Sequence, residues 1–354
     1  MLGDSPSRQS GSVQLRVVQH GIEAHVSELA ESIRIATRSS RLALWQANHV
    51  AGLIRQAAPG CHVELVEVST QGDQDRTSTL ASMGGQGVFT REVQTAVLDG
   101  RADIAVHSLK DLPTVPIEGL TLAAVPKRES AIDALVAPLG SVQIGDDEQG
   151  VTHSADAAAM SLLAALPQGA RVGTGSPRRQ AQLKFYRKDL EPVEIRGNVE
   201  TRIKKLDNGE YDAIVLAEAG LKRLGLGSRV SMLLSPPIMF GAVGQGALGI
   251  ECRRGDEAVF ATLQRISNSD DFAATAAERS LMRELKAGCH APVGTRTSIS
   301  DKGLKLCGVV LSLDGEVRVL ARETGDISEP EELGIKVADL LRADGAETLL
   351  AQYE

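Results

Sequence analysis

The sequence predicts an α/β fold of two lobes, each built on a largely parallel sheet, followed by a small α+β domain. Two observations lead to this prediction. Short apolar runs typical of strands alternate with helical patterns, and after a break in the middle of the chain the same alternation begins again. Towards the end, short runs of alternating apolar and polar residues replace that pattern, which indicates a smaller mixed domain.

The first unit begins at residue 32. Residues 33–36 are a predicted strand, and residues 42–47 open a helix that ends near Pro59 and Gly60. Residues 63–68 alternate as a half-buried strand does. A glycine loop at 84–87 precedes a helix over 90–98, and residues 102–106 form a short apolar strand. Together these elements predict one α/β lobe.

The second unit repeats the arrangement. Strands are predicted at 134–137, 171–173 and 211–216, with helices starting at 177 and 219. The stretch 139–160 is rich in Gly, Asp, Ala and Ser, so we expect an exposed insertion there. A glycine loop near 242 then leads into a buried segment, and a strong helical pattern over 272–287 ends at Gly288. Strands at 304–307 and 317–320 and a helix at 331–342 complete the tail.

These elements predict three domains and an N-terminal extension. The extension covers 1–31, the first lobe 32–126 and 241–266, the second lobe 127–240, and the third domain 267–354. Residues after 240 are expected to return to the first lobe. A cleft between two α/β units is a common place for a ligand.

Composition narrows the classes of function. The chain carries 38 basic and 46 acidic residues, a net charge of −8, which disfavours general nucleic-acid binding. Its four cysteines contain no C-x-x-C pair, so no metal site is predicted. No apolar run approaches the roughly 20 residues that span a bilayer, and the N-terminus lacks the pattern of a signal peptide. We therefore expect a cytoplasmic protein without membrane contact.

Three predicted helix starts carry arginines. A helix start attracts anions, and a guanidinium group fits a carboxylate or a phosphate. One such turn is equally compatible with an ordinary capped helix bearing surface arginines, but three of them indicate a substrate with several carboxylates or phosphates. The loop at 84–87 lacks the Lys-Ser/Thr ending of a P-loop, so nucleotide binding is not supported. The three turns are TRSS (37–40), GTGSPRR (173–179) and RGNVETR (196–202).

Two further residues are candidates for chemistry. Asp111 follows Lys110 at the carboxyl end of a predicted strand, where ionisable residues often face a ligand, although these residues alone favour a salt bridge that merely holds the strand end. Cys289 follows Gly288 in a loop beside His290, which can lower the pKa of a thiol. A lone cysteine is more often an inert buried residue.

In this order and spacing, the motifs resemble the porphobilinogen deaminase family over about residues 33–353. The resemblance implies two lobes like type II periplasmic binding proteins and a dipyrromethane cofactor joined by a thioether to Cys289. It implies deamination of porphobilinogen and linkage of four units into hydroxymethylbilane, by a monomeric enzyme. The matching stretches are RIATRSS (34–40), ADIAVHSLKD (102–111), GTGSPRRQ (173–180), RGN (196–198), LDNGEYDAI (206–214), AVGQGA (242–247) and GC (288–289).

The resemblance also assigns roles to residues. Asp111 matches the catalytic aspartate. The positions implied to contact the cofactor, besides Cys289, are Lys110, Asp111, Ser40, Thr174, Arg178, Arg179 and Gly197. The positions implied to bind substrate carboxylates are Arg38, Arg179, Arg196 and Arg202.

The chain departs from the family pattern at some positions, and two other functions stay open. Gln86 stands where many members have Lys, Gly175 and Pro177 replace the commoner Ser and Leu, and Ile132 replaces a common Arg. The main alternative is a non-enzymatic two-lobed protein that binds a small carboxylate. An enzyme acting on a phosphate ester or nucleotide would use the arginines, but the sequence offers it no P-loop lysine.

Overall fold

The computed structural model describes residues 28–69, 90–139, 163–288 and 290–353. Most of the predicted extension over 1–31 and of the insertion over 139–160 lies outside these ranges, as do the glycine loop at 84–87, Gln86 and Cys289.

The first lobe contains a sheet of five described strands in the order β2-β1-β3-β10-β4. Strand β1 is parallel to β2 and β3, whereas β10 runs antiparallel to both β3 and β4. The strands are β1 (Ser32–Thr37), β2 (His62–Glu67), β3 (Ile104–Ser108), β4 (Leu120–Ala124) and β10 (Leu248–Arg253).

Among the described residues, three helices cover this sheet: α1 (Arg41–Ala57), α2 (Arg91–Leu98) and α6 (Glu257–Gln264). Ile33 and Ile35 on β1 are fully buried and belong to one apolar cluster with residues of α1. The alternation of strand residues and the helical spacing on α1 therefore meet in a shared core, as the sequence pattern predicts.

The second lobe repeats this design, with the order β7-β6-β8-β5-β9. Strand β6 is parallel to β7 and β8, whereas β5 is antiparallel to β8 and β9. The strands are β5 (Asp133–Val136), β6 (Arg171–Gly173), β7 (Glu191–Val193), β8 (Ala213–Ala217) and β9 (Met232–Leu234). The helices here are α3 (Pro177–Tyr186), α4 (Val199–Asp207) and α5 (Glu218–Arg223).

The two sheets are equivalent, which confirms the prediction of two related lobes. In each sheet the fourth strand, β10 or β5, is the one that enters from the other lobe, and it runs antiparallel to its neighbours. The sheets are therefore less parallel than predicted, because a strand that crosses between lobes enters its sheet from the opposite end. The boundaries near residues 126 and 240 stay a prediction.

The two crossing segments lie side by side. The backbone N–H of Glu129 donates to the carbonyl of Gly246 (3.2 Å), and a Cβ on Gly241 would lie 2.5 Å from the carbonyl oxygen of Ala131. Glycine at 241 permits this close approach of two backbones.

The C-terminal domain has the predicted α+β form. Strands β11 (Val293–Ser300), β12 (Gly303–Leu311) and β13 (Arg318–Gly325) form an antiparallel sheet, and helices α7 (Ser269–Glu284) and α8 (Pro330–Ala343) pack against it. A short helix, α9 (Ala346–Leu350), follows. In the part of the chain that the structure describes, no helix combines the length and the apolar character that a membrane crossing requires.

Candidate active site

Contacts within the first lobe fix the start of the turn that carries Lys110 and Asp111. It is a single 3-10 turn, Leu109–Asp111, directly after β3. The N–H of Leu109 donates to the carbonyl of Ala247 (3.0 Å), and the buried Leu109 side chain lies so close to Gly249 that a Cβ there would be 2.7 Å from it. The first lobe thus holds the base of the turn, while Lys110 is half-buried and Asp111 is exposed.

The Asp111 carboxylate is not held by a hydrogen bond or an ion pair to any described residue. Among the described residues its carboxylate makes no hydrogen bond and no ion pair, so a salt bridge that holds the strand end is not what the structure contains. Its charge nevertheless acts on cations of both lobes, because it partly offsets the lowering of the pKa that burial causes in Lys110 of the first lobe and in Arg202 of the second. Asp111 therefore lies between the lobes with its oxygens available to a ligand.

Arg178 and Arg179 are buried at the start of α3 rather than on the surface, with exposures of 4% and 6%. Ser176 precedes the helix and Pro177 is its first residue, as the sequence predicts, although the Ser176 side chain makes no capping hydrogen bond. The alternative of surface arginines on an ordinary capped helix is wrong, because desolvating two cations has a cost that an ordinary surface helix avoids.

The counter-ion of both arginines is Asp133, which the sequence reasoning missed. Its carboxylate accepts from Arg178 Nη1 (2.7 Å) and from Arg179 Nη2 (2.6 Å) and Nε (3.0 Å). Gln245 Nε2 also donates to it (3.1 Å). Although burial opposes the charged form, these arginines hold the pKa of Asp133 well below its usual range. The only signal in the sequence was a carboxylate at the start of a predicted apolar strand.

The arginine pair is also tied to the lobe crossings. Arg178 Nη1 donates to the carbonyl of Phe240, and Arg179 Nη1 donates to the carbonyl of Val215 (2.8 Å). Asp133 and Phe240 lie on the two segments that join the lobes. The position of both guanidinium groups therefore depends on how those crossings are arranged.

The third arginine-bearing turn lies at the start of α4. Asn198 caps the helix by accepting from the N–H of Thr201 (2.8 Å), and Gly197 has a φ of +108° that favours glycine. Arg202 Nε donates to the carbonyl of Gly197 (2.8 Å), while Arg196 Nε pairs with Glu194 (2.7 Å). Local bonds thus set the direction of both arginines.

Two predicted hydroxyl contacts have local partners. Ser40 caps α1, its side chain accepting from the N–H of Ala43 (3.3 Å), and the half-buried Arg38 precedes it on the same turn. Thr174 is fully buried, and its hydroxyl oxygen accepts from the N–H of Ser176 (3.2 Å).

The pKa values of Lys110 and Arg202 show that several positive charges lie close together. Burial, assisted by Arg179 and Arg178, lowers the pKa of Lys110 to about 8 against the opposing effect of the nearby carboxylates. Burial together with Arg179 and Arg196 lowers the pKa of Arg202 to about 10. Each of these cations would gain from an additional anion nearby.

The balance of charges in this cluster shows whether the site fits a cofactor that carries several negative charges. Four cations face two carboxylates, so two positive charges have no counter-ion within the cluster, which suits a group that carries several carboxylates. The cations are Lys110, Arg178, Arg179 and Arg202, and the carboxylates are Asp111 and Asp133.

Cys289 lies outside the described residues, but its surroundings are known on both sides. Helix α7 ends at Glu284, and the N–H of Ala291 donates to the carbonyl of Gly288 (3.0 Å). The described thiols are poorer nucleophiles, because burial raises their pKa values; they are Cys61, Cys252 (to about 11) and Cys307. Over the described ranges, no cluster of His, Cys, Asp and Glu side chains is arranged to hold a metal ion.

Comparison with known protein families identifies the family to which this chain belongs. The family model for the porphobilinogen deaminase dipyrromethane cofactor binding domain matches residues 33–261, and the model for the C-terminal domain of porphobilinogen deaminase matches residues 272–343. The chain belongs to the porphobilinogen deaminase family. It is accordingly a transferase of tetrapyrrole biosynthesis with a dipyrromethane cofactor, and a non-enzymatic binding protein remains only a likeness of fold.

Individual relatives agree with this placement. Porphobilinogen deaminase from Geobacter metallireducens is 44% identical over 322 residues, covering 91% of this chain and 95% of that one. Porphobilinogen deaminase from Stenotrophomonas maltophilia is 45% identical over 320 residues, covering 90% and 99%. Among solved structures, the VFT2 domain of BvgS from Bordetella pertussis matches 71% of this chain and 92% of its own length, at 16% identity and a TM-score of 0.39.

Proposed function

We propose that Asp111 is the catalytic carboxylate of this porphobilinogen deaminase and that the surrounding cations bind the carboxylates of the pyrrole units. The observation that carries the proposal is an exposed carboxylate without a direct partner among the described residues, placed near the half-buried cations Lys110 of the first lobe and Arg202 of the second. Each pyrrole unit brings an acetate and a propionate, which match the surplus of positive charge.

The cations and Asp111 act on different parts of the substrate. Guanidinium and ammonium groups hold carboxylates at the edges of a ring, but they cannot stabilise positive charge on its nitrogen. That charge develops when the aminomethyl C–N bond of porphobilinogen breaks and ammonia leaves. An anion held beside the nitrogen lowers the energy of this state, and Asp111 is available for that role because it neutralises no protein cation by direct contact.

Lys110 and the arginines complete the proposed binding site. Lys110, Ser40, Thr174, Arg178, Arg179 and Gly197 are proposed to contact the cofactor; Arg38, Arg179, Arg196 and Arg202 are proposed to bind the substrate. When bound, dipyrromethane supplies the primer to which new units are added. Arg178 and Arg179 already share the Asp133 carboxylate, which holds both guanidinium groups in position before the cofactor binds.

Cys289 is the proposed attachment point of the cofactor. In the sequence it follows Gly288, four residues after the end of α7, and burial raises the pKa values of the described thiols elsewhere. We further propose that the enzyme acts as a monomer in the cytoplasm and does not bind nucleic acid, in line with its net charge of −8.

The decisive experiment replaces Asp111 by Asn, which keeps the shape and removes the charge. We expect a folded enzyme with its cofactor mass intact and a turnover reduced at least ~100-fold, as for other preorganised electrostatic groups. Asp111→Glu should retain part of the activity, because the charge survives. The matched control is Asp99→Asn, an exposed aspartate of the same lobe, which should leave turnover unchanged. Near-normal turnover by folded Asp111→Asn would refute the role of Asp111.

A further inference from the structure

One buried cation of the C-terminal domain reaches the catalytic turn. Arg279 on α7 is 9% exposed and donates from Nη1 to the carbonyl of Leu112 (3.1 Å) and from Nη2 to the carbonyl of Pro113 (2.7 Å). These two carbonyls follow Asp111 directly in the chain. The guanidinium of one domain is therefore fixed to the catalytic turn of another.

Burying the Arg279 guanidinium lowers the stability of the fold, so we expect this contact to serve the function of the enzyme. Within the described ranges no carboxylate forms an ion pair with Arg279, and burial lowers its pKa despite the charge of Glu251 at longer range. A buried cation satisfied only by neutral carbonyls gives up more hydration energy than two hydrogen bonds ordinarily return. Stability alone would be better served by an apolar residue in its place.

Arg279 is not needed to attach the helix to the first lobe. The adjacent Glu278 already does so: it binds Arg128 on the lobe crossing (2.8 Å and 3.1 Å) and accepts from the N–H of Gly244 (2.8 Å). The contact made by Arg279 is therefore additional, and its target is the turn itself.

The turn is consequently held at two ends by two domains. Its start is held by the first lobe, through the bond from Leu109 to Ala247, and its end by Arg279 of the C-terminal domain. Helix α7 then runs from Arg279 towards Gly288, which precedes the proposed attachment residue. Helix α7 thus lies between the turn bearing Asp111 and the described residues 285–288.

We propose that Arg279 is a positioning residue, which sets the place of the Asp111 carboxylate relative to the C-terminal domain by clamping the Leu112 and Pro113 carbonyls to α7. The inference rests on the proposed role of Asp111. A carboxylate that acts through charge loses effect when it is displaced, and a misplacement of about 1 Å can cost about 100-fold in rate.

The test uses the whole enzyme and the variant Arg279→Lys, whose single ammonium cannot bridge both carbonyls. We expect cofactor loading by intact mass to be complete, KM for porphobilinogen to stay within about two-fold, and kcat to fall about 10- to 100-fold. Arg279→Gln removes the buried charge and keeps a donor, so it offers a second variant with a smaller desolvation cost. The control is Arg283→Lys, one turn further along α7 and half-exposed, which should leave kcat unchanged.

A double-mutant cycle tests whether Arg279 affects kcat through Asp111. If Arg279 acts through Asp111, Arg279→Lys should lower kcat by no more than about two-fold in an Asp111→Asn background. An equal fold loss in both backgrounds would overturn the proposal, as would normal kcat in Arg279→Lys, loss of cofactor loading, or failure of both Arg279 variants to fold. Near-normal turnover in Asp111→Asn alone would instead refute the role of Asp111, so the two failures are distinguishable.

Discussion

Removal of the charge on Asp133 should destabilise the protein far more than removal of a comparable charge at the surface. The Asp133 side chain is 0% exposed, and the side chains of Arg178 and Arg179 are 5% and 7% exposed. Removing one partner from a buried ion pair typically costs about 3–5 kcal/mol, because the remaining charge stays desolvated. Asp133→Asn retains an oxygen that can accept a hydrogen bond, so we expect the lower end, about 3 kcal/mol.

The second lobe offers a matched control. Lys188 of this lobe pairs with Glu316 (2.8 Å), and the two side chains are 69% and 58% exposed. Because water can solvate the remaining lysine, Glu316→Gln should cost only about 0.2–1 kcal/mol. Urea unfolding followed by far-UV circular dichroism measures both free energies of unfolding, and the gap between the two variants should be about 2 kcal/mol or more.

The dependence on pH provides an independent check. Since the folded-state pKa of Asp133 is depressed, its stabilisation is complete above the unfolded value of about 3.9 and is lost as pH falls from there through the folded value. The difference between the wild type and Asp133→Asn should therefore be constant from pH 8 to pH 5 and narrow only below about pH 4. A cost under about 1 kcal/mol for Asp133→Asn, or a gap that closes by pH 5, would refute this account of the arginine pair.

Three further predictions concern other parts of the site. Gly197→Ala should lower the free energy of unfolding in urea by about 2 kcal/mol or more, since φ is +108° and the new Cβ would lie 2.6 Å from a neighbouring side chain. The control Gly209→Ala, with a φ of +78° and no atom within 4 Å of the new Cβ, should cost only about 1 kcal/mol. Equal costs for the two variants would contradict the predicted clash at residue 197. The KM for porphobilinogen should rise as pH increases through about 8, where Lys110 loses its charge, and Lys110→Arg should flatten that rise; an unchanged profile in the variant would exclude Lys110 as the cause. Cys289→Ser should give a folded protein without covalent pyrrole mass and without turnover, and retained mass would move the attachment elsewhere.

Local pattern in the sequence was sufficient for most of the architecture. The alternating residues of β1 and the helical spacing of α1 predict elements that the structure contains, because both depend on neighbours a few positions apart. The starts of α1, α3 and α4 were predicted from the same kind of short-range chemistry, although Ser176 does not cap α3 with its side chain. The strands that the sequence reasoning missed include β7 and β9, three residues each, which are too short to show a period.

The position of the candidate site residues along the chain was also predicted, but their surroundings were not. Nothing local indicates that Arg178 and Arg179 are buried or that Asp133, 45 and 46 residues earlier, is their partner. The clamp from Arg279 spans 166 and 167 residues, and its targets are backbone carbonyls, which every sequence position supplies.

The sequence by itself thus determined most of the elements, the family and the motifs expected to carry the chemistry. Only the tertiary structure decided which charges neutralise one another and showed that Asp111 has no direct partner among the described residues. The physical reason is that a charge acts through space with a strength set by burial and distance, and both depend on how the lobe crossings bring together segments that are remote in the chain.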